Sequence, residues 1–112
     1  MSAEFVEPFK CEVNRNGDRI VVAPRGELDM ATVPQLDQEL ERHVRGEPGV
    51  TLVLDLRALT FMDSSGLHLT ARWAQESSKD GFAFEIVPGP PPIQRVFDLA
   101  RMTAQLPFKE PG

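Results

Sequence analysis

The chain has 112 residues, 41% of them hydrophobic and 26% charged, which fits one packed domain and leaves too little chain for a second core. Twelve Lys and Arg against seventeen Asp and Glu give a formal net charge of −5, and without a basic run there is no footprint for releasing counterions from a nucleic acid. The single cysteine, Cys11, excludes an internal disulfide and a multi-cysteine metal knot, and no apolar stretch approaches the roughly 20 residues of a membrane span.

Glu4 and Glu7 stand where an export signal would carry basic residues, so the expectation is a cytoplasmic domain. Phe5 to Val13 reads as a first strand, placed at a sheet edge because Pro8 removes a ladder donor. Asn14 to Asp18 is a turn, with Asn16-Gly17 as the pair suited to a tight hairpin, and Arg19 to Arg25 is the second strand. Val33, Leu36, Leu40 and Val44 then recur at helical spacing. Thr32 and Gln35 fit a capping box, Asp29 is a rival cap, Pro34 is tolerated in the first turn, and Gly46 with Pro48 ends the helix.

Val50 to Leu56 is nearly continuous in apolar residues, as a centrally buried strand would be. Arg57 to Met62 reads as a loop, and Asp63-Ser64-Ser65-Gly66 as a helix start, with Leu67, Ala71, Ala74 and Ser78 toward the core. Asp80-Gly81 closes that helix, and Phe82 to Val87 is a further strand. Pro88 to Pro92 holds four of the ten prolines and can be neither strand nor helix interior. Ile93, Val96, Phe97 and Ala100 mark a third helix, and Gln105 to Phe108 is a short strand or an extended tail. A hairpin followed by alternating helices and strands predicts an α/β domain. Its second, third and fourth strands are parallel, and the first is antiparallel at the edge.

Sites in such sheets lie beyond the carboxyl ends of the strands. The loop after strand two carries Gly26-Glu27-Leu28-Asp29 and the loop after strand three carries Phe61 to Gly66, so Asp29, Asp63, Ser64 and Ser65 are expected to gather at one end. Simple helix capping explains an arbitrary Asp-Ser-Ser-Gly. It is compatible with function, because a serine at a helix start is exposed and a phosphate there would meet the positive end of the dipole. Other chemistry is thinner. Asp63, Ser64 and His68 lack the buried acid of a hydrolytic triad, and there is no nucleophile elbow. Asp29 with Asp63 is a poor cation site without further oxygen donors, and Gly89 among prolines is no phosphate loop. His68 and His43 read as surface residues. Leu69 and Trp73 fall off the main stripe of the second helix, as a packed rim or as an exposed anchor for a partner.

Phe61-Met62-Asp63-Ser64-Ser65-Gly66-Leu67 resembles the signature of the STAS domain of bacterial anti-sigma factor antagonists. Gly26-Glu27-Leu28-Asp29 before a helix, Val53-Leu54-Asp55-Leu56, and Ile93-Gln94-Arg95-Val96-Phe97-Asp98-Leu99 are similar to other landmarks of that family, in the same order, so the resemblance runs from about Cys11 to Phe108. It implies one STAS domain over residues 1–112: a small, mostly parallel sheet of four or five strands with an edge hairpin strand and helices packed mainly on one face.

The resemblance also implies a non-catalytic partner switch without a cofactor or metal. A serine kinase that doubles as an anti-sigma factor would bind the chain and release a sigma factor. That kinase would phosphorylate Ser64, and a serine phosphatase would reverse it. Asp29, Asp63, Ser65, Gly66 and His68 would form the partner-binding surface of a monomer or weak dimer that touches neither nucleic acid nor membrane. His68 stands where the family often has Gly, Arg101-Met102 where it often has Gly-Leu, and the proline cluster is richer than the family's. The alternative is a STAS scaffold or accessory subunit in a stress-signalling or lipid-transport complex; relatives of that kind often lack an intact acceptor, and Ser64 beside Asp63 favours the first reading.

Overall fold

The computed structural model describes residues 8–45 and 48–110. Strands β1 (Lys10–Asn16) and β2 (Arg19–Leu28) form an antiparallel hairpin. Helix α1 (Val33–Val44), β3 (Thr51–Asp55), β4 (Leu59–Met62), α2 (Ser64–Asp80), β5 (Ala83–Val87) and α3 (Pro91–Leu99) follow. The five-stranded sheet runs β1-β2-β3-β5, with β4 alongside β2. The β2–β3, β2–β4 and β3–β5 pairings are all parallel, and β1 alone is antiparallel, at the edge. The mixed, mostly parallel α/β architecture expected from the sequence is therefore present.

Alternation builds the core. Ile20 pairs with Leu52 and Leu52 with Phe84, while Val22 pairs with Leu54 and Leu54 with Ile86. These rows are buried together with Leu36 and Leu40 of α1, Leu69 and Trp73 of α2, and Ile93 and Phe97 of α3. The other face of the sheet carries charged pairs, Arg19 with Glu85 at 3.1 Å and Arg57 with Asp55 at 2.8 Å.

Several local expectations shift. β1 starts at Lys10, after Pro8 rather than through it, and Phe5 to Glu7 lie outside the described residues. The hairpin pairs Asn16 with Arg19, so Gly17-Asp18 rather than Asn16-Gly17 occupies the two central turn positions. Only Gly17, at φ 66°, is left-handed there, which is the pattern of a II′ turn.

The loop expected at 57–62 contains a strand. β3 pairs with β2 only as far as Val22–Leu54, the chain turns, and β4 returns to pair with the carboxyl end of β2 through Gly26–Leu59, Glu27–Phe61 and Leu28–Met62. The register slips between Gly26 and Glu27, and Gly26 takes a φ of 99° that a side chain would resist.

The expected capping box at Thr32 is absent, since Thr32 makes no side-chain cap to α1. α2 buries a wider face than expected: Leu67 is buried and Ala71 and Ala74 pack against the core, but Gly66, Leu69, Thr70 and Trp73 are buried too and Ser78 is exposed. The rim or anchor role for Leu69 and Trp73 is therefore wrong; Trp73 is 2% exposed and its indole N–H donates to Asp37 Oδ1 at 2.8 Å. On α3, Ile93 and Phe97 are buried but Ala100 is exposed. His43 is half-buried rather than solvated, with Nε2 3.6 Å from Glu39 Oε2. Pro91 and Pro92 enter the first turn of α3, where a missing N–H costs no intrahelical bond. Thr103–Gln105 is a short 3₁₀ turn, and Phe108 makes a single parallel bridge to Ile86 instead of a strand.

Candidate functional site

The parallel pairing of β2 with β4 creates the site. Leu28 and Met62 are register partners, and the N–H of Asp63 donates to the Leu28 carbonyl at 3.2 Å. Asp29 and Asp63 are each the next residue along, so the two acidic loops leave the sheet side by side. β4, which the residue pattern did not reveal, is what brings them together.

The Asp29 loop is held from within. The Thr32 hydroxyl donates to the Glu27 carbonyl at 2.8 Å and accepts the Asp29 N–H at 2.9 Å. Asp29 Oδ1 accepts the N–H groups of Ala31 and Thr32 at 3.0 and 3.2 Å. The hydroxyl assigned to a capping box is thus consumed by the turn, and the Asp29 carboxylate is committed to loop backbone.

Asp63 is the N-cap of α2. Its Oδ1 accepts the Ser65 N–H at 2.8 Å, and its backbone carbonyl accepts from Gly66 at 3.1 Å and Leu67 at 3.5 Å. Ser64 is the first helical residue and is exposed; Ser65 is half-buried and His68 is exposed. Gly66 is buried against the sheet end: a β-carbon there would lie 2.5 Å from Met62 Cγ and 2.9 Å from Leu28 Cδ2. The first turn of α2 can sit this low over β2 and β4 only because residue 66 has no side chain.

Beside the first turn of α2 lies an open groove lined by Met30, Val33 and Pro34 on one side and Ser65, His68, Leu69 and Arg72 on the other. Met30 is 78% exposed and Phe61 48%. Both flank the two aspartates as apolar contacts available to a partner, and neither was singled out from sequence. For Phe61 the missing signal was the strand itself: once Glu27 and Phe61 are register partners, both point away from buried Leu28 and Met62.

What Ser64 offers at this site is an exposed surface hydroxyl. Asp63 bonds its own helix and does not orient His68, so the hydrolytic set Asp63, Ser64, His68 is not assembled. No three His, Cys, Asp or Glu residues are grouped to hold a metal among the described residues. Elsewhere, burial and the nearby Glu39 charge push the Cys11 thiol up to about 11, which makes it a packing residue and not a nucleophile. Burial opposes ionisation of Asp55, but hydrogen bonds and charge from Arg57 outweigh it and hold the carboxyl below its ordinary value. No helix among the described residues is long and apolar enough to cross a membrane.

A small α/β sheet with an antiparallel edge strand, and an Asp-capped serine helix beside a second acidic loop, define a STAS-type regulatory module. The STAS domain family model matches residues 10–110, and the chain belongs to that family. Among curated proteins it is similar to the anti-sigma F factor antagonist of Paenibacillus polymyxa, 25% identical over 100 residues that cover 89% of this chain and 86% of the relative. Among solved structures it resembles an anti-sigma factor antagonist from Mycobacterium paratuberculosis, with 30% identity, a TM-score of 0.80, and coverage of 94% of this chain and 87% of that one. The fold is also that of SpoIIAA, a Bacillus cell fate determinant, at 21% identity. The TM-score is 0.73 for the unphosphorylated form, covering 94% and 89% of the two chains. It is 0.69 for the phosphorylated form, covering 94% and 92%.

Proposed function

We propose that this chain is an anti-sigma factor antagonist. In its unmodified form it binds a serine kinase that is also an anti-sigma factor, freeing the sigma factor. Phosphorylation of Ser64 switches that binding off, and a serine phosphatase restores it. The observation that carries the reading is the exposed Ser64 hydroxyl at the first position of α2, capped by Asp63 and set beside the Asp29 loop. The names of the relatives support the class of activity. Asp29, Asp63, Ser65, Gly66 and His68 form the contact surface in this reading, extended by Met30 and Phe61.

A phosphate adds about −1.5 to −2 charges at neutral pH, taking the chain from −5 to roughly −7. The position is tolerant, because Ser64 is exposed and a phosphate there displaces no packed side chain. The fold therefore stays intact, and the switch acts across the interface through bulk and repulsion beside Asp29 and Asp63. Like charges desolvated at a contact cost several kcal/mol, and about 1.4 kcal/mol is already tenfold in affinity.

The test is incubation with ATP and the serine kinases encoded in the same genome, followed by mass mapping. Phosphate on Ser64 from one kinase is the expected result. Stoichiometric phosphorylation of a Ser64→Ala chain would overturn the acceptor assignment.

A further inference from the structure

We infer that His68 is the built-in counter-charge for a phosphate on Ser64, and that protonation of its imidazole tunes the phosphorylated state of the switch. The inference rests on the reading of Ser64 as the acceptor and deepens it by naming how that site is regulated.

The ordinary way to accommodate an anion at a helix start is through the free N–H groups of the first turn. Here that supply is largely spent. The Ser65 N–H is taken by the Asp63 carboxylate at 2.8 Å, and the Gly66 N–H by the Asp63 carbonyl at 3.1 Å. The residues that flank the acceptor, Asp63 and Asp29, are acidic. A phosphate on Ser64 therefore meets two carboxylates and few vacant donors, and its charge must be matched by a side chain.

His68 stands four residues after Ser64 on α2, and both are exposed. Residues four apart on a helix have β-carbons about 5–6 Å apart, and the later one leans toward the earlier because Cα–Cβ bonds tilt toward the N-terminus. The imidazole makes no hydrogen bond or ion pair with the described residues. Arg72, one turn further on, is already held by Asp37 at 2.9 Å and Glu76 at 3.4 Å. Across the groove, α1 and the loop before it present Met30, Val33 and Pro34, and Asp37 of α1 reaches over to Arg72. The charged groups around His68 are thus Arg72, engaged by Asp37 of α1 and Glu76 of α2, and the two aspartates at the sheet end. A phosphoserine has its second ionisation near 6, and a protonated imidazole beside it favours the doubly charged phosphate, so each reports on the other. In mild acid the pair is closest to neutral, and the repulsion that keeps the partner away is weakest.

The experiment uses the full chain with phosphoserine genetically encoded at position 64, compared with the unmodified chain by proton and phosphorus NMR titration from pH 5 to 8. His68 is expected to titrate higher when the phosphate is present. By reciprocity the phosphate should titrate lower by the same amount, and His68→Gln should abolish that phosphate shift. An unchanged His68 titration, or a phosphate titration insensitive to His68→Gln, would overturn the inference. Because the phosphoserine is installed without a kinase, either of those results leaves the proposed function standing. Failure of every kinase to label Ser64 counts instead against that function.

Discussion

Asp63 is tied to Leu28 by a 3.2 Å backbone hydrogen bond between the ends of two parallel strands. This one contact fixes where α2 begins. Leu28 leads directly to Asp29, so the same contact sets the second acidic loop beside the helix start. The candidate switch surface is thus an extension of the β2–β4 ladder, and its geometry is only as firm as the packing beneath it.

Gly66 tests that packing. Gly66→Ala places a methyl group within 2.5 Å of Met62 Cγ and 2.8 Å of Met62 Sδ. Overpacking of this kind costs about 1–3 kcal/mol, which lowers the melting temperature by about 4–8 °C per kcal/mol in a domain of this size. Thermal unfolding followed by circular dichroism measures it. A melting temperature equal to that of the parent would show that the first turn of α2 is free to rise from the sheet.

Trp73 separates structure from recognition. It is buried, and Asp37 accepts its indole N–H. Trp73→Phe should lose about 0.5–1.5 kcal/mol for the hydrogen bond, with a further cost for the smaller ring. Its affinity for the partner, per folded molecule, should be unchanged. A tenfold loss of affinity in the folded variant would return Trp73 to the interface.

These two residues also show what was legible in the sequence. The order of the helices and of every strand but β4, the central strand, the Asp63 cap and the Gly81 helix stop follow from local chemistry, and local chemistry was sufficient to read them. The inward face of α2 was not readable in the same way. Apolar residues at 67, 69, 71, 73 and 74 allow two overlapping stripes, and burying the large Trp73 ring decides between them only once the sheet is in place. Four-residue β4 was hidden because its pairing partner is the far end of β2, a long-range contact with no local signature. The clustering of Asp29, Asp63, Ser64 and Ser65 was expected from topology alone. The internal commitments of Asp29 and Thr32 were not, because they depend on the turn taken after Leu28.

Arg101 is the one described residue other than glycine with a positive φ, at 59°. It closes α3: the Arg101 N–H donates to the Asp98 carbonyl at 3.0 Å and the Met102 N–H to the Phe97 carbonyl at 2.9 Å, the pair of bonds that defines a Schellman stop. A β-carbon in this conformation costs about 1–2 kcal/mol, partly offset by the chain entropy that a residue with a side chain saves. Arg101→Gly should therefore raise stability by about 0.5–1 kcal/mol in urea unfolding. A loss of stability would mean that the arginine side chain contributes more than its backbone strain costs.

Asp55 sets an acid limit. Its carboxyl is held below the ordinary value in the folded chain by Arg57. A depressed folded value means that the stabilisation is present above the unfolded carboxyl value near 3.9 and is lost as pH falls through the folded value. Arg57→Gln leaves burial unopposed, so the Asp55 carboxyl should rise and acid unfolding should begin at a higher pH. Acid titration followed by circular dichroism compares the two chains. Coincident curves would show that the pair contributes nothing to acid stability.

The most direct measurement is the affinity of the cognate serine kinase for this chain before and after phosphorylation at Ser64, with circular dichroism on both forms. The expected result is binding at least about tenfold weaker for the phosphorylated form, with superimposable spectra. Equal affinities, or a spectrum showing that the modified chain has unfolded, would contradict a switch that works by charge at an intact surface.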